Sequence, residues 1–222
     1  MNNNIETYNK KGLAIPTFND DIMIPFIKII QTSSDEMIPS RENYNSQVKP
    51  GDIYSSLTKT IFNEPQVIVC GMKKYYAEWQ GSSRGRLINK YLENSDIVKT
   101  AIKVQRETSD GRIAYDLKTS NNTYLIESFA ALFLIKNTDG FVIPGRYTFS
   151  KSTYLDGKRL NTNLAIYQNG GVPIFKFTTN LTSNKKGSWY IPVFTFDGYE
   201  KNENVIDTVI NLSQIADEEL MK

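Results

Sequence analysis

Lys73, Lys74, Tyr75, Tyr76 and Trp79 place cations and aromatic rings side by side in one short stretch. Ring faces stack on unpaired bases and ammonium groups track phosphates, so this mixture suits a surface for single-stranded nucleic acid. The pairing recurs at Lys185, Lys186, Trp189 and Tyr190. A glycine-flanked basic loop follows the first stretch, with Arg84 inside it and Arg86 just after. The residues predict a two-walled groove: Lys73, Lys74, Tyr75, Tyr76, Trp79, Arg84 and Arg86 on one side, Lys185, Lys186, Trp189 and Tyr190 on the other. Arg146, Tyr147, Lys158 and Arg159 are second-rank candidates. Alternate residues of a strand face opposite ways, so either Lys73, Tyr75 and Trp79 or Lys74 and Tyr76 face the groove. The first set is favoured because it joins two rings to a cation. The competing reading is an ordinary amphipathic strand, with its rings in the core and its lysines merely solvated.

Other chemistry is narrowed by what the chain lacks. It has no histidine and one cysteine, so Cys/His zinc sites, Ser-His-Asp triads and Cys-His pairs cannot be built from it alone. Carboxylates could still hold Mg²⁺, but only Asp20-Asp21, Asp35-Glu36 and Asp217-Glu218-Glu219 are adjacent. None lies in a segment that reads as the end of an active-site strand. The loop at 81–85 lacks the spacing and terminal Lys-Ser/Thr of a phosphate-binding P-loop. No catalytic residue, metal ligand or cofactor is therefore assigned, and a non-enzyme is expected. A carboxylate-metal nuclease remains a rival that needs three or more acids to converge. Cys70, within an apolar pattern, reads as a small buried hydrophobe.

The net charge of +2 is unevenly spread. Residues 1–65 carry six Lys/Arg against eight Asp/Glu, residues 66–196 carry eighteen against nine, and residues 197–222 two against seven. A basic body with an acidic end fits a polyanion binder whose tail screens itself or recruits partners.

The elements that must position these residues read as mainly β. The 222 residues, 40% hydrophobic, fit one domain with appendages: a flexible arm at 1–20, a body at 21–198, and a helix with an acidic end at 199–222. Strands are expected at 22–31, around Ile53 and Tyr54, through 65–80, at 113–117 after an Asp110-Gly111 hairpin turn, at 123–136 and at 141–150. The run 123–136 is the most apolar and is expected to be central. A helix is predicted over 152–168, ended by Gly170-Gly171, then a hairpin of 172–181 and 188–196, then a helix over 205–220. Residues 92–106 remain open between helix and strand. No apolar run is long enough to span a bilayer and the N-terminus lacks the order of a signal peptide, so a soluble cytoplasmic protein is expected.

This order of elements, with aromatics beside basic loops, points to an OB-fold-like five-stranded Greek-key barrel with added strands and helices and a C-terminal helix. The segments Ile24 to Gln31, Lys49 to Tyr54, Lys73 to Trp79 and Lys185 to Tyr190 resemble single-stranded-DNA-binding proteins of tailed bacteriophages, over most of residues 22–196. The resemblance implies an OB-fold accessory protein of replication or recombination that coats single-stranded DNA without catalysis. It also implies recruitment of replication or recombination proteins through the acidic C-terminus, although this chain ends in Met221-Lys222 where such tails carry an aromatic residue. A homo-oligomer is allowed. The alternative is a non-catalytic viral structural or host-interaction protein built on a β-sandwich.

Overall fold

The computed structural model describes residues 23–81, 85–107, 113–136, 142–185 and 187–221. In chain order these form strands β1 (Ile27–Ile29), β2 (Ile53–Ser55), β3 (Ile61–Phe62), β4 (Gln66–Trp79) and β5 (Leu87–Tyr91), then helix α1 (Asp96–Thr100). Strands β6 (Ile102–Glu107), β7 (Ile113–Lys118), β8 (Tyr124–Lys136) and β9 (Val142–Ser150) follow. Helix α2 (Tyr154–Tyr167), the hairpin β10 (Pro173–Asn184) and β11 (Gly187–Tyr199), and helix α3 (Glu203–Glu219) complete the chain. The protein is thus mainly β, with a C-terminal helix.

The long antiparallel ladder of β4 against β8 is the spine of an eight-stranded sheet. Each of its two strands changes its outer neighbour along its length. β4 pairs β10 at residues 66–68 and β5 at residues 76–79. β8 pairs β7 at Leu125 and Tyr124, and β9 from Ser128 to Lys136. The near-continuous apolar run of β8 follows from this central position, since both of its faces are covered. Phe129, Ala131, Phe133 and Ile135 enter one core with Phe149, Phe175, Phe177 and Leu160 of α2. Ala130, Leu132 and Leu134 enter a second core on the opposite face. There Val209 and Ala216 of α3 and its C-cap residue Leu220 cover them, at spacings that put all three on one helical stripe. Each fully buried Phe or Leu contributes roughly 1.5–3 kcal/mol by leaving water.

The register shifts in β4 between Val69 and Gly71, where Cys70 has no cross-strand partner on β8. This bulge changes the phase of the strand. Val67 and Val69 face the first core, whereas after the bulge Met72 does so and Tyr75 and Ala77 face the second. Gly71 lies under α3: a Cβ there would come within 2.4 Å of the Ala216 Cβ. Burial pushes the Cys70 thiol up to about 12, which keeps it protonated and inert.

A smaller sheet, in the order β1-β2-β3, meets the larger one where Phe26 forms a parallel bridge to Arg146. The sheets curl around the first core, but no closed five-stranded barrel forms. Between β1 and β11 there is no main-chain ladder. The Gln31 carboxamide takes its place, donating to the Tyr190 carbonyl at 3.0 Å and accepting from the Tyr190 N–H at 2.8 Å. Thr179 Oγ1 adds a bond to the Gly51 carbonyl at 2.8 Å. The expected strand at 22–31 is ordered as a ladder only at Ile27–Ile29, and residue 22 and the Asp110-Gly111 turn lie outside the described residues. Residues 92–106 resolve into α1 and β6, and β3 and β5 are strands the sequence pattern did not indicate.

Candidate nucleic-acid interface

Alternation in β1 turns Ile27 and Ile29 into the core and leaves Phe26 and Lys28 outward. Phe26 is 45% exposed. The Arg146 guanidinium lies 3.9 Å from its ring centroid, a cation–π contact. Across from β1, Trp189 and Tyr190 of β11 complete an open cleft of about 580 Å³, with Thr148 and Ser152 on its wall. Gln31 fixes the β11 side by holding both main-chain groups of Tyr190. Gly51, at φ +94°, lets the Tyr190 ring close over it: a Cβ would meet that ring at 2.7 Å.

The cleft therefore combines ring surfaces with hydroxyls and one lysine, Lys28. Trp189 Nε1 is shielded from solvent and has no hydrogen-bond partner among the described residues. An unmet buried donor costs about 1–3 kcal/mol. Lys28 is not a free charge, because it forms an ion pair with the buried Glu36. Burial alone would raise the Glu36 pKa, but the Lys28 hydrogen bond and charge prevail and lower it.

The first stretch singled out in the sequence is placed differently. No residue of 73–79 lines the cleft, and the edge of β4 beside 76–79 is taken by β5 rather than by the β10–β11 hairpin. Tyr75 and Tyr76 are 3% and 8% exposed, so their rings are packing groups. Lys74 is held by Glu127 at 2.6 Å and Glu93 at 3.4 Å. Its hydrogen bond to Glu127 raises its pKa above the ordinary lysine value. The other face carries Lys73, whose ammonium meets Asp217 of α3 at 3.0 Å, and the half-buried Trp79, with the Lys151 ammonium 5.8 Å from its ring.

Of the remaining candidates, Tyr147 borders the cleft but is 6% exposed and belongs to the first core. Lys158 and Arg159 flank a separate shallow depression on α2; Arg159 donates to Asp156 at 2.8 Å and Lys158 lies 4.9 Å from the Tyr154 ring. Arg86 and Lys185 are exposed, and Arg84 and Lys186 lie outside the described residues. The sequence reading missed Phe26, Lys28, Thr148 and Ser152. Their only local signal is the in-out alternation of β1, which puts a phenylalanine and a lysine together on the outer face. Among the described residues no three of His, Cys, Asp or Glu are close enough to hold a metal ion. No helix of the described residues is long and apolar enough to cross a membrane.

A family model described as Pam3 phage gp34-like protein matches residues 8–218. Neither a curated protein nor a solved structure matches the chain. The chain belongs to the Pam3 phage gp34-like protein family.

Proposed function

We propose that this phage-family protein binds single-stranded DNA, coating and protecting it during replication or recombination in the host cytoplasm. The observation that carries the reading is the cleft between β1 and β11, which Phe26, Trp189 and Tyr190 line together with Lys28, with Arg146 against the Phe26 ring. Bases of any identity have a ring face, so stacking there is sequence-tolerant and contributes about 1–3 kcal/mol per base. The excess of Lys/Arg over residues 66–196 supplies the attraction for phosphates. In this reading no catalytic step takes place, and the acidic C-terminal segment recruits replication or recombination proteins.

The test is a titration of fluorescent oligo-dT and of duplex of equal length across salt. Preference for the single strand, with a log-log salt slope of about −0.7 per neutralised phosphate, supports the proposal. Equal or absent binding at low salt overturns it. The alternative, a non-catalytic structural or host-interacting protein, draws on exposed Leu155 and Ile166 of α2 and Ile210 and Ile215 of α3. That outcome is read as no nucleic-acid binding together with stable association with another protein.

A further inference from the structure

We propose that the sheet face beside the C-terminal end of α3, carrying Lys73, Trp79, Lys90, Arg146 and Lys151, is a second stretch of the same track, holding phosphates of the strand where it leaves the cleft past Phe26. The inference rests on the single-strand reading and extends it to residues outside the cleft.

Register assembles this face. The Cys70 bulge sends Lys73, Tyr75 and Trp79 to the side that α3 partly covers. Lys90 lies opposite Ala77 on β5, between Tyr75 and Trp79. Its ammonium is 5.5 Å from the Tyr75 ring, and Lys151 is 5.8 Å from Trp79. Arg146 joins the two surfaces, since its guanidinium lies on Phe26, which lines the cleft.

Electrostatics favour an anion here. Burial first, and then the neighbouring charge of Arg146, lowers the pKa of Lys90. Two cations thus stand close enough to repel each other, and among the described residues no carboxylate pairs with Lys90. The protein already sets acceptors of its own on this face. Asp217 meets Lys73 at 3.0 Å, and the Glu219 carbonyl accepts from Arg146 Nη1 at 3.0 Å. Phosphate oxygens offer the same acceptors with a full charge and a repeat that can reach several cations at once. Trp79 supplies a ring for a base between them.

The experiment compares oligo-dT of about four and about sixteen nucleotides, within the span that a single-strand-binding module covers. The full-length wild type, Lys90→Glu/Lys151→Glu and Trp189→Ala are titrated against both. The double variant is expected to bind the long strand at least tenfold more weakly. Its salt slope should fall by about 1.4, because two fewer phosphates are neutralised, while affinity for the short strand is unchanged. Trp189→Ala should weaken both lengths. Lys90→Gln/Lys151→Gln, expected to act in the same direction with less effect, serves if charge reversal prevents folding. If the Lys90/Lys151 variants bind the long strand as the wild type does, the inference fails and the single-strand reading stands. If the wild type binds neither length, both fall.

Discussion

Two stretches of nearly the same composition have different fates. Around Trp189 and Tyr190, rings beside lysines reach an open cleft. Around Tyr75 and Tyr76, rings beside lysines are buried. The cause is place in the sheet. β11 ends the strand order and meets β1 only through side chains, so its rings keep an accessible surface. β4 lies between β8 on one side and β10 and β5 on the other, and packed elements cover both faces over much of its length. A strand with neighbours on every side turns aromatics into core and ties lysines to nearby carboxylates.

The sharpest way to break this comparison is to truncate one ring from each stretch. Tyr75→Ala should cost about 3–5 kcal/mol of stability, as large-to-small changes in cores do, read as a lower urea midpoint with an unchanged slope. Trp189→Ala should instead change stability by less than about 1 kcal/mol and weaken oligo-dT by roughly 1–3 kcal/mol, about 5- to 150-fold. If both changes acted only on stability, the cleft would be packing and nothing else.

The Lys74 pair tests the same contrast more gently. Burial would raise the Glu127 pKa, but its hydrogen bond to Lys74 and that residue's charge prevail and lower it. A carboxylate lowered in the folded state adds stability that is present above its unfolded pKa and lost as pH falls through the folded one. Glu127→Gln should therefore destabilise by about 1 kcal/mol or less at neutral pH, given the partial exposure of the pair. The difference from wild type in urea midpoint should shrink as pH falls below 4.5, the ordinary glutamate value. The smallest effect is expected from Asp217→Asn. It releases Lys73 from an exposed partner and should strengthen binding of the long oligo-dT about twofold, with no gain for the short one.

Elements whose patterns answer to local burial were legible in the sequence. The unbroken apolar run of β8, the helix ending at Gly170-Gly171 and the β10–β11 hairpin all announce themselves within their own residues. β5 did not, because Leu87 and Ile88 are exposed and Asn89 and Lys90 interrupt them. Gln31 and Tyr190, 159 residues apart, join the two sheets through side chains, so the sequence pattern of a closed barrel carried over the curl but not the missing ladder. Phe26 and Trp189 line one cleft through that junction. Composition singled out Trp189 and Tyr190, which line the cleft, whereas the residues across from them depend on long-range folding.

The unpaired Cys70 of β4 matters most to a question of descent. A side-chain period of two means that a strand with one residue too many keeps its faces only by setting that residue aside, as this bulge does. Losing a single codon here would straighten β4 without exchanging its faces, because Val69 already stands opposite Phe133, Gly71 opposite Leu132 and Lys73 opposite Ala130. Within this family, insertion or deletion at this one position is therefore a change the ladder absorbs, and the character of the basic face is altered by substitution.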